Sequence, residues 1–222
     1  MTADEAPAAT RRQLAVARAL DQTRSRAEFR VKLFVDAARE LVNSGSGEFT
    51  VQEVVDRSGQ SLRTFYQYFE GKHDLLLALF EESIGAAAEH LEDVVARGDG
   101  PLERLHGFTT EYFRMCRFTG RAGSRAGPGP AMVRFAQQLL TSHPEEAARA
   151  FAPLVVMLEE LLAEAAAAGE LRSGLDHARL AGVLLQATMF NTFATVISGS
   201  SSPRDDDPEM LWDLLSRGME HD

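Results

Sequence analysis

Residues 58–76 read SGQSLRTFYQYFEGKHDLL, a stretch that combines aromatic rings with hydrogen-bonding side chains. Four of the five residues 65–69 are aromatic, and Arg63 and Gln67 accompany them. A helix buried on all sides does not normally carry tyrosines beside an arginine, and a solvent-facing helix does not normally carry so much ring area. The stretch therefore predicts a helix with one face in a protein core and the other directed at a polar partner.

A capping signal and a glycine turn divide the surrounding sequence into two short helices. Thr50-Val-Gln-Glu53 has the form of a capping box, which marks a helix start. Ser58-Gly59 ends that helix because glycine accepts the positive φ of a tight turn. Ser61 is suited to cap the next helix. A helix, a tight turn and a second helix across residues 50–69 form the layout of a helix-turn-helix.

The side chains left exposed on the second helix suit the major groove of DNA. Leu62, Phe65 and Phe69 are expected to lock this helix against the first. The other side chains form hydrogen bonds from a helix thin enough to enter the groove. Lys72, at the start of the following helix, can hold a phosphate together with free backbone N–H groups. The predicted DNA-binding residues are Thr50, Ser61, Leu62, Arg63, Thr64, Tyr66, Gln67, Tyr68 and Lys72.

The same stretch resembles the DNA-binding domain of the TetR family of transcriptional regulators. That family shows a Thr-led helix, a turn, a Thr-x-Tyr-x-His/Tyr-Phe recognition helix, and Lys with leucines opening a connecting helix. Over about residues 27–87 this sequence supplies, in order, Thr50-Val51, Ser58-Gly59, Thr64-Phe65-Tyr66-Gln67-Tyr68-Phe69, Lys72 and Leu75-Leu76. It departs from the pattern at Val55, where alanine is common, at Gln60, where an apolar residue is usual, and at Tyr68, where histidine is commoner.

The charge distribution permits a DNA-facing N-terminal part despite a formal net charge of −10. Residues 1–75 carry 11 basic and 11 acidic side chains, whereas residues 76–222 carry 12 and 22. Attraction to phosphate acts locally, because salt screens charges beyond roughly 8–10 Å. The excess of acid in the C-terminal two-thirds therefore does not exclude a nucleic-acid partner.

Helical periodicity runs through the chain, and no strand alternation stands out. We predict an all-α fold of about nine helices, near residues 26–43, 50–58, 62–68, 72–97, 101–118, 132–140, 145–168, 176–197 and 210–219. The Gly-rich segment 119–130 and the Ser/Asp-rich segment 198–206 are expected to be loops. The domain prediction is a flexible arm or frayed helix over 1–25, a three-helix DNA-binding domain over 26–87, and a larger helical domain over 88–222.

Several function classes receive no support from the residues. The N-terminus lacks a signal-peptide block and the apolar runs are too short for a membrane span, so we expect a cytoplasmic chain with no membrane partner. The single cysteine excludes an internal disulfide and a cysteine-rich zinc site. No nucleophile motif or Gly-rich cofactor fingerprint occurs, and no two of the six histidines are spaced i, i+4. We therefore expect no enzymatic activity, no cofactor and no metal.

By resemblance to the family, the C-terminal two-thirds binds a small effector and forms a homodimer. The residues are compatible with this, since phenylalanines and methionines suit a large apolar guest and a few polar side chains can anchor it. Packing in an ordinary core is the alternative for each residue taken alone. The predicted effector-binding residues are Phe108, Tyr112, Met115, Cys116, Met132, Phe135, Phe151, Met157, Gln186, Met189, Phe190, Asn191 and Phe193.

The last two helices are the predicted dimer interface. The segment 176–197 is apolar almost all round, so it needs covering on nearly all sides. We expect it to form a four-helix bundle with segment 208–219 and their symmetry mates. Alternatively, Trp212 and its neighbours only cover their own subunit's core. The predicted interface residues are Leu184, Thr188, Thr195, Leu211, Trp212 and Leu215.

The expected function is that of a sequence-specific DNA-binding regulator. The main hypothesis is a dimeric repressor that a small, largely apolar effector releases from its double-stranded operator. The alternatives are a DNA-binding regulator or architectural protein without an effector, an all-α enzyme, and a helical bundle whose segment 61–69 is merely packed. The arginines of residues 1–26 either reach a minor groove or belong to a solvated tail.

Overall fold

The helices of this protein were located in a computed structural model, which describes residues 10–44, 49–116, 130–191 and 207–219. This part of the chain contains nine helices: α1 (Arg11–Asn43), α2 (Val51–Ser58), α3 (Leu62–Phe65), α4 (Lys72–Val95), α5 (Pro101–Cys116), α6 (Pro130–Ser142), α7 (Pro144–Ala167), α8 (His177–Asn191) and α9 (Asp207–Ser216). The all-α prediction is confirmed. Residues 119–129 of the predicted loop 119–130 and all of the predicted loop 198–206 lie outside the described residues, and Pro130 begins α6.

Helix α1 begins at Arg11, well before the predicted start at residue 26. Thr10 and Gln13 form a capping box, in which the Thr10 backbone N–H donates to Gln13 Oε1 at 2.8 Å. The side chains of residues 11–26 are exposed. A helix without a buried face lacks the apolar stripe on which the sequence prediction depended, which explains the late predicted start.

The N-terminal unit consists of α1, α2, α3 and the first half of α4. Helix α1 packs on both α2 and α4, and α2 packs on α3. The buried side chains of α1 fall between Phe34 and Val42, opposite Val54 and Val55 of α2. Val55 is 5% exposed, so the chain accommodates a valine where the family pattern often has alanine.

Helix α4 belongs to both halves of the molecule. Leu75 and Leu79 are buried near its start, and Ile84, Ala88 and Leu91 are buried further along. The helix packs on α1 and also on α5, α6 and α7. The predicted domain boundary at residue 87 thus falls inside one continuous helix.

The C-terminal half is built around α5 and α7. Both helices pack on α4 and α8, while α6 packs on α7 and α9 packs on α5. Its fully buried side chains include Leu105, Leu154, Leu158 and Leu162. At the edge of this core the ring of His106 meets that of Trp212, with centroids 5.1 Å apart. None of the helices in the described ranges is long and apolar enough to cross a bilayer.

Candidate functional site

The aromatic rings of α3 divide between the core and the surface. Phe65 is fully buried, with its centroid 5.4 Å from that of Phe34 in an edge-to-face contact and 5.5 Å from that of Phe69. Tyr66 packs one edge against Phe65 at 5.3 Å yet remains 57% exposed. One side of the cluster is therefore core, and the other presents a phenol to solvent.

The turn before α3 and the cap at its start fix its orientation. Gly59 adopts a φ of +66°, a left-handed conformation that favours glycine. The Ser61 hydroxyl accepts from the Thr64 backbone N–H at 3.0 Å and lies 2.7 Å from the Thr64 hydroxyl. Helix α3 covers Leu62–Phe65, and residues 66–68 continue as a turn, so the helix is shorter than the predicted 62–68.

All nine predicted DNA-binding side chains are at least partly accessible to solvent. Thr50, Ser61, Leu62, Arg63, Tyr66 and Gln67 are exposed, whereas Thr64, Tyr68 and Lys72 are half-buried. We call the exposed residues of α3 and its following turn, namely Ser61, Leu62, Arg63, Tyr66 and Gln67, the reading face.

Lys72 is held in place by the loop that precedes α2. Its ammonium donates to the Phe49 carbonyl at 2.6 Å and lies 4.4 Å from the centre of the Phe49 ring. These contacts leave donors on the ammonium for a phosphate, since Lys carries three. The predicted phosphate contact by Lys72 stays a prediction.

The start of α2 is capped by a charged hydrogen-bond network. Glu53 accepts from the Thr50 backbone N–H at 2.7 Å and from the Thr50 hydroxyl at 2.9 Å. These bonds lower the pKa of the Glu53 carboxyl, the backbone bond contributing most. The predicted capping box is present. Thr50 and the α2 N-terminus stand on the surface where a phosphate backbone can approach.

Comparison with known proteins identifies this N-terminal unit. Residues 34–79 match the family model described as bacterial regulatory proteins, tetR family. This match shows a TetR-type N-terminal unit in the chain. The family's DNA-binding unit is the segment that contains the reading face. A relative, the fatty acid metabolism regulator protein of Bacillus subtilis (strain 168), is 26% identical over 165 residues, which cover 72% of this chain and 80% of the relative.

Solved structures share the fold over most of the chain. A TetR family regulator from Marinobacter aquaeolei VT8 is 21% identical, covering 90% of this chain and 100% of its own, with a TM-score of 0.62. The regulator FadR from Bacillus subtilis, solved in complex with stearoyl-CoA, is 18% identical, covering 84% and 95%, with a TM-score of 0.58. These similarities show that the C-terminal helices also follow the fold of this family.

The predicted effector-binding residues of this chain differ in burial. Phe108, Tyr112, Met132, Phe135 and Phe151 are buried, and Met115, Cys116, Met157, Met189 and Phe190 are half-buried. Gln186 is exposed on α8, so its side chain is turned away from the interior. The side chain of Asn191 and all of Phe193 lie outside the described residues.

Two aromatic groups occupy the interior of the C-terminal half. Phe80 of α4 lies 6.1 Å from Phe135 of α6 and 5.3 Å from Phe151 of α7, centroid to centroid. The rings of Phe108 and Tyr112 on α5 are stacked at 6.0 Å. We call Phe80, Phe108, Tyr112, Phe135 and Phe151 the aromatic core. Its members lie on α4, α5, α6 and α7, and Phe80 of α4 is not among the predicted effector-binding residues.

Tyr112 of the aromatic core forms a polar pair with Cys116. The Tyr112 hydroxyl and the Cys116 thiol are hydrogen-bonded, one helical turn apart. Burial raises the pKa of Tyr112 well above its usual value and raises that of Cys116 to about 12. Both groups are therefore neutral at physiological pH and can offer hydrogen bonds, but no charge, to a guest.

A groove between α4 and α7 was not predicted from the sequence. Its volume is about 740 Å³, and Met157 is the one predicted effector residue among those that line it. Apolar side chains, including Val95 and Val156, alternate at its walls with the charged side chains of Arg104 and Glu164. The spacing of apolar residues within one helix carries no information about the gap between two helices, so sequence periodicity could not reveal it.

The predicted dimer residues are distributed differently from expectation. Leu184, Thr188 and Leu211 are buried within the subunit, Trp212 and Leu215 are half-buried, and Thr195 lies outside the described residues. The outward apolar side chains on α8 and α9 are Val183, Met210 and Leu214, which are 51%, 65% and 72% exposed. When a helix is apolar on all sides, its sequence does not show which face packs against the core of its own subunit.

Proposed function

We propose that this chain acts as a dimeric repressor whose reading face binds an operator and whose aromatic core accepts a long acyl chain. The observation that carries the proposal is that α4 directly follows the exposed reading face and also contributes Phe80 to the apolar interior of the C-terminal half. Arg63 and Gln67 supply hydrogen bonds to base edges, and Tyr66 reaches sugar and phosphate.

Dimerisation supplies the second reading face. Two recognition helices enter successive major grooves when they lie about 34–36 Å apart. Val183, Met210 and Leu214 are large apolar side chains left in water by a single subunit, and a second copy of the chain covers them in our proposal. We therefore place the dimer contact on these residues together with the half-buried Trp212 and Leu215, instead of on Leu184, Thr188 and Leu211.

Two arguments support an acyl chain as the proposed effector: the chemistry of the interior and the similarity to known regulators. The aromatic core and its neighbouring leucines form an apolar interior with one neutral polar pair, Tyr112 and Cys116. Such an interior accepts a long hydrocarbon chain better than a charged metabolite. The relative that regulates fatty acid metabolism and the FadR structure with stearoyl-CoA point to the same class.

Helix α4 is the proposed mechanical connection. Phe80 places an aromatic ring of the acyl site on α4, directly after the buried Leu79 of the DNA-binding unit. An acyl chain that separates Phe80 from Phe151 moves α4, and with it the spacing of the two reading faces. The effector thereby shifts the population away from the state that binds DNA.

The test is release of DNA by acyl ligands of graded length. Genomic footprinting with the purified protein first supplies an operator, and fluorescence anisotropy then measures binding. We expect saturated acyl-CoA thioesters of long chain to weaken operator binding at least ten-fold, and short-chain thioesters and free CoA to have no effect. Free fatty acids in the same series show whether the thioester is required.

Two results would overturn parts of the proposal separately. If no acyl ligand of any length changes operator binding or raises the melting temperature, the acyl site is wrong and a regulator without an effector is favoured. If the protein binds no genomic sequence selectively, the operator function itself is wrong.

A further inference from the structure

Three ligating side chains meet where the DNA-binding unit joins the C-terminal half. His73 lies in the first turn of α4, His143 immediately precedes α7, and Glu146 lies in the first turn of α7. One ligand atom of each residue lies within 4.8 Å of the other two. Residues 73 and 146 come from distant parts of the sequence, so no local sequence motif predicts the cluster.

The carboxylate of Glu146 lies close to one nitrogen of each imidazole. Its Oε2 lies 2.7 Å from His73 Nε2, and its Oε1 lies 3.9 Å from His143 Nδ1. The imidazole rings face each other with centroids 4.5 Å apart and planes 37° apart. In the absence of an ion, the His73 Nε2–H donates to Glu146 Oε2, and a bound metal ion would take the place of that proton.

We propose that His73, His143 and Glu146 form a binding site for a divalent transition-metal ion of the zinc class. Two imidazole nitrogens and one carboxylate oxygen are a ligand set that such ions take, with water completing a tetrahedron. Tetrahedral zinc with bonds of about 2.0–2.1 Å holds its ligand atoms roughly 3.3 Å apart. The three ligand atoms lie within 4.8 Å of one another, so binding in our proposal includes a side-chain movement that brings them closer.

The surroundings favour a transition metal over a hard cation. Mg²⁺ and Ca²⁺ prefer oxygen ligands, whereas two of the three atoms here are imidazole nitrogens. The positive ends of the α4 and α7 dipoles and the nearby Arg149 oppose a cation held by charge alone. Coordination by imidazole does not depend on net negative charge, so it is the kind of binding that this position supports.

The position of the site gives the ion a structural consequence. His73 belongs to the helix that follows the reading face, and its ring also packs on Phe135 of the aromatic core at 5.5 Å. An ion bound by all three side chains ties the start of α4 to the start of α7. The bound ion therefore holds the DNA-binding unit in the arrangement seen here relative to the aromatic core.

The site is accessible from solvent. The side chains of His73, His143 and Glu146 are 38%, 40% and 28% exposed. An ion can enter without unfolding of the core, and a water molecule can take the open coordination position.

The test is metal titration of the full chain after tag removal and chelator treatment. We expect isothermal titration with Zn²⁺ to give one ion per subunit, and Co²⁺ to give the visible absorption of tetrahedral coordination. The affinity for both ions should fall at least ten-fold in His143→Ala. This substitution leaves the His73–Glu146 contact in place. Zn²⁺ should raise the melting temperature of the unmodified chain but not that of the variant.

A matched control separates this cluster from an ordinary pair of histidine and glutamate. His90 and Glu111 form such a pair at 2.9 Å without a second imidazole, so His90→Ala should leave Zn²⁺ binding unchanged. Glu146→Gln keeps the size of the side chain and the hydrogen bond to His73 while removing the anionic ligand, and it should also weaken binding. The proposal is overturned if the unmodified chain binds no Zn²⁺ at micromolar concentration, or if His143→Ala and Glu146→Gln bind it as tightly as His90→Ala does.

Discussion

The ring of Phe65 in α3 meets the ring of Phe34 in α1 edge to face, with centroids 5.4 Å apart and planes at 89°. Both side chains are fully shielded from solvent. Helix α3 has four residues, too few to be stable in isolation. The orientation of the reading face therefore depends on a ring contact on the opposite side of the same helix.

Substitution Phe34→Ala should destabilise the DNA-binding unit. Truncating a buried phenylalanine costs about 3–5 kcal/mol, because apolar contact is lost and a cavity remains. We expect this loss in the free energy of unfolding measured by chemical denaturation. Phe29→Ala, on the same helix but 63% exposed, is the control and should change stability by no more than about 0.5 kcal/mol. Equal effects of the two substitutions would show that the ring contact does not anchor α3.

Substitution Arg63→Ala should weaken operator binding without affecting the fold. The side chain is exposed on the reading face, so its removal leaves the core intact. Loss of a bidentate contact to a guanine costs about 1–3 kcal/mol, roughly 5- to 150-fold in affinity. Anisotropy with the operator measures the affinity, and denaturation checks stability. Arg179→Ala, an exposed arginine on α8, is the control. An unchanged operator affinity in Arg63→Ala would assign base recognition to other residues.

The fold of the DNA-binding unit could be predicted from the sequence because its signals are local. The Thr50–Glu53 capping box, the Gly59 turn and the ring spacing from Phe65 to Phe69 each depend on neighbouring residues, and the structure contains all three. The start of α1 was missed because a helix with no buried face has no apolar periodicity.

The remaining sites depend on contacts between distant segments. Sequence periodicity indicated that α8 needs covering, but Leu184 faces its own subunit while the adjacent Val183 faces solvent. The meeting of His73 with His143 similarly requires the packing of α4 on α6 and α7. Neither arrangement follows from spacing along a single helix, because each depends on how distant segments pack against one another.

Substitution Glu53→Gln should destabilise the chain at neutral pH but not at acid pH. Hydrogen bonds from Thr50 lower the pKa of Glu53 below its usual 4.5, so the ionised carboxylate is favoured in the folded state. Its contribution is present above pH 4.5 and disappears as the pH falls through the lower folded pKa. We expect Glu53→Gln to melt at a lower temperature than the unmodified chain at pH 7.

The difference in melting temperature should then shrink below pH 4.5. Glu81→Gln, which removes the same charge from the exposed side of α4, is the control and should give a smaller difference at pH 7. A melting difference for Glu53→Gln that stays constant from pH 7 down to pH 3 would mean that the capping carboxylate does not act through its charge.

Substitution Leu214→Asp should convert the dimer to monomers. Leu214 is 72% exposed in the single subunit, and in our proposal a second copy covers it. A charge placed in an apolar interface is desolvated without a partner and opposes association. Sedimentation velocity measures the change in mass. Val156→Asp is the control, since Val156 is 52% exposed but lies on α7, where it lines the groove between α4 and α7. If Val156→Asp produces monomers and Leu214→Asp does not, the dimer interface lies instead on the side of the molecule that carries the groove between α4 and α7.

The thiol of Cys116 should react slowly with alkylating reagents while the chain is folded. Its pKa of about 12, raised by burial, leaves almost no thiolate at pH 8, and the thiolate is the reactive species. Mass spectrometry after iodoacetamide treatment should show little labelling in buffer and full labelling in denaturant. Ser173→Cys in a Cys116→Ala background provides an exposed thiol as the control and should label quickly in buffer. Equally rapid labelling of Cys116 in the native chain would mean that the interior beside Tyr112 opens to solvent, contrary to a closed apolar site for an acyl chain.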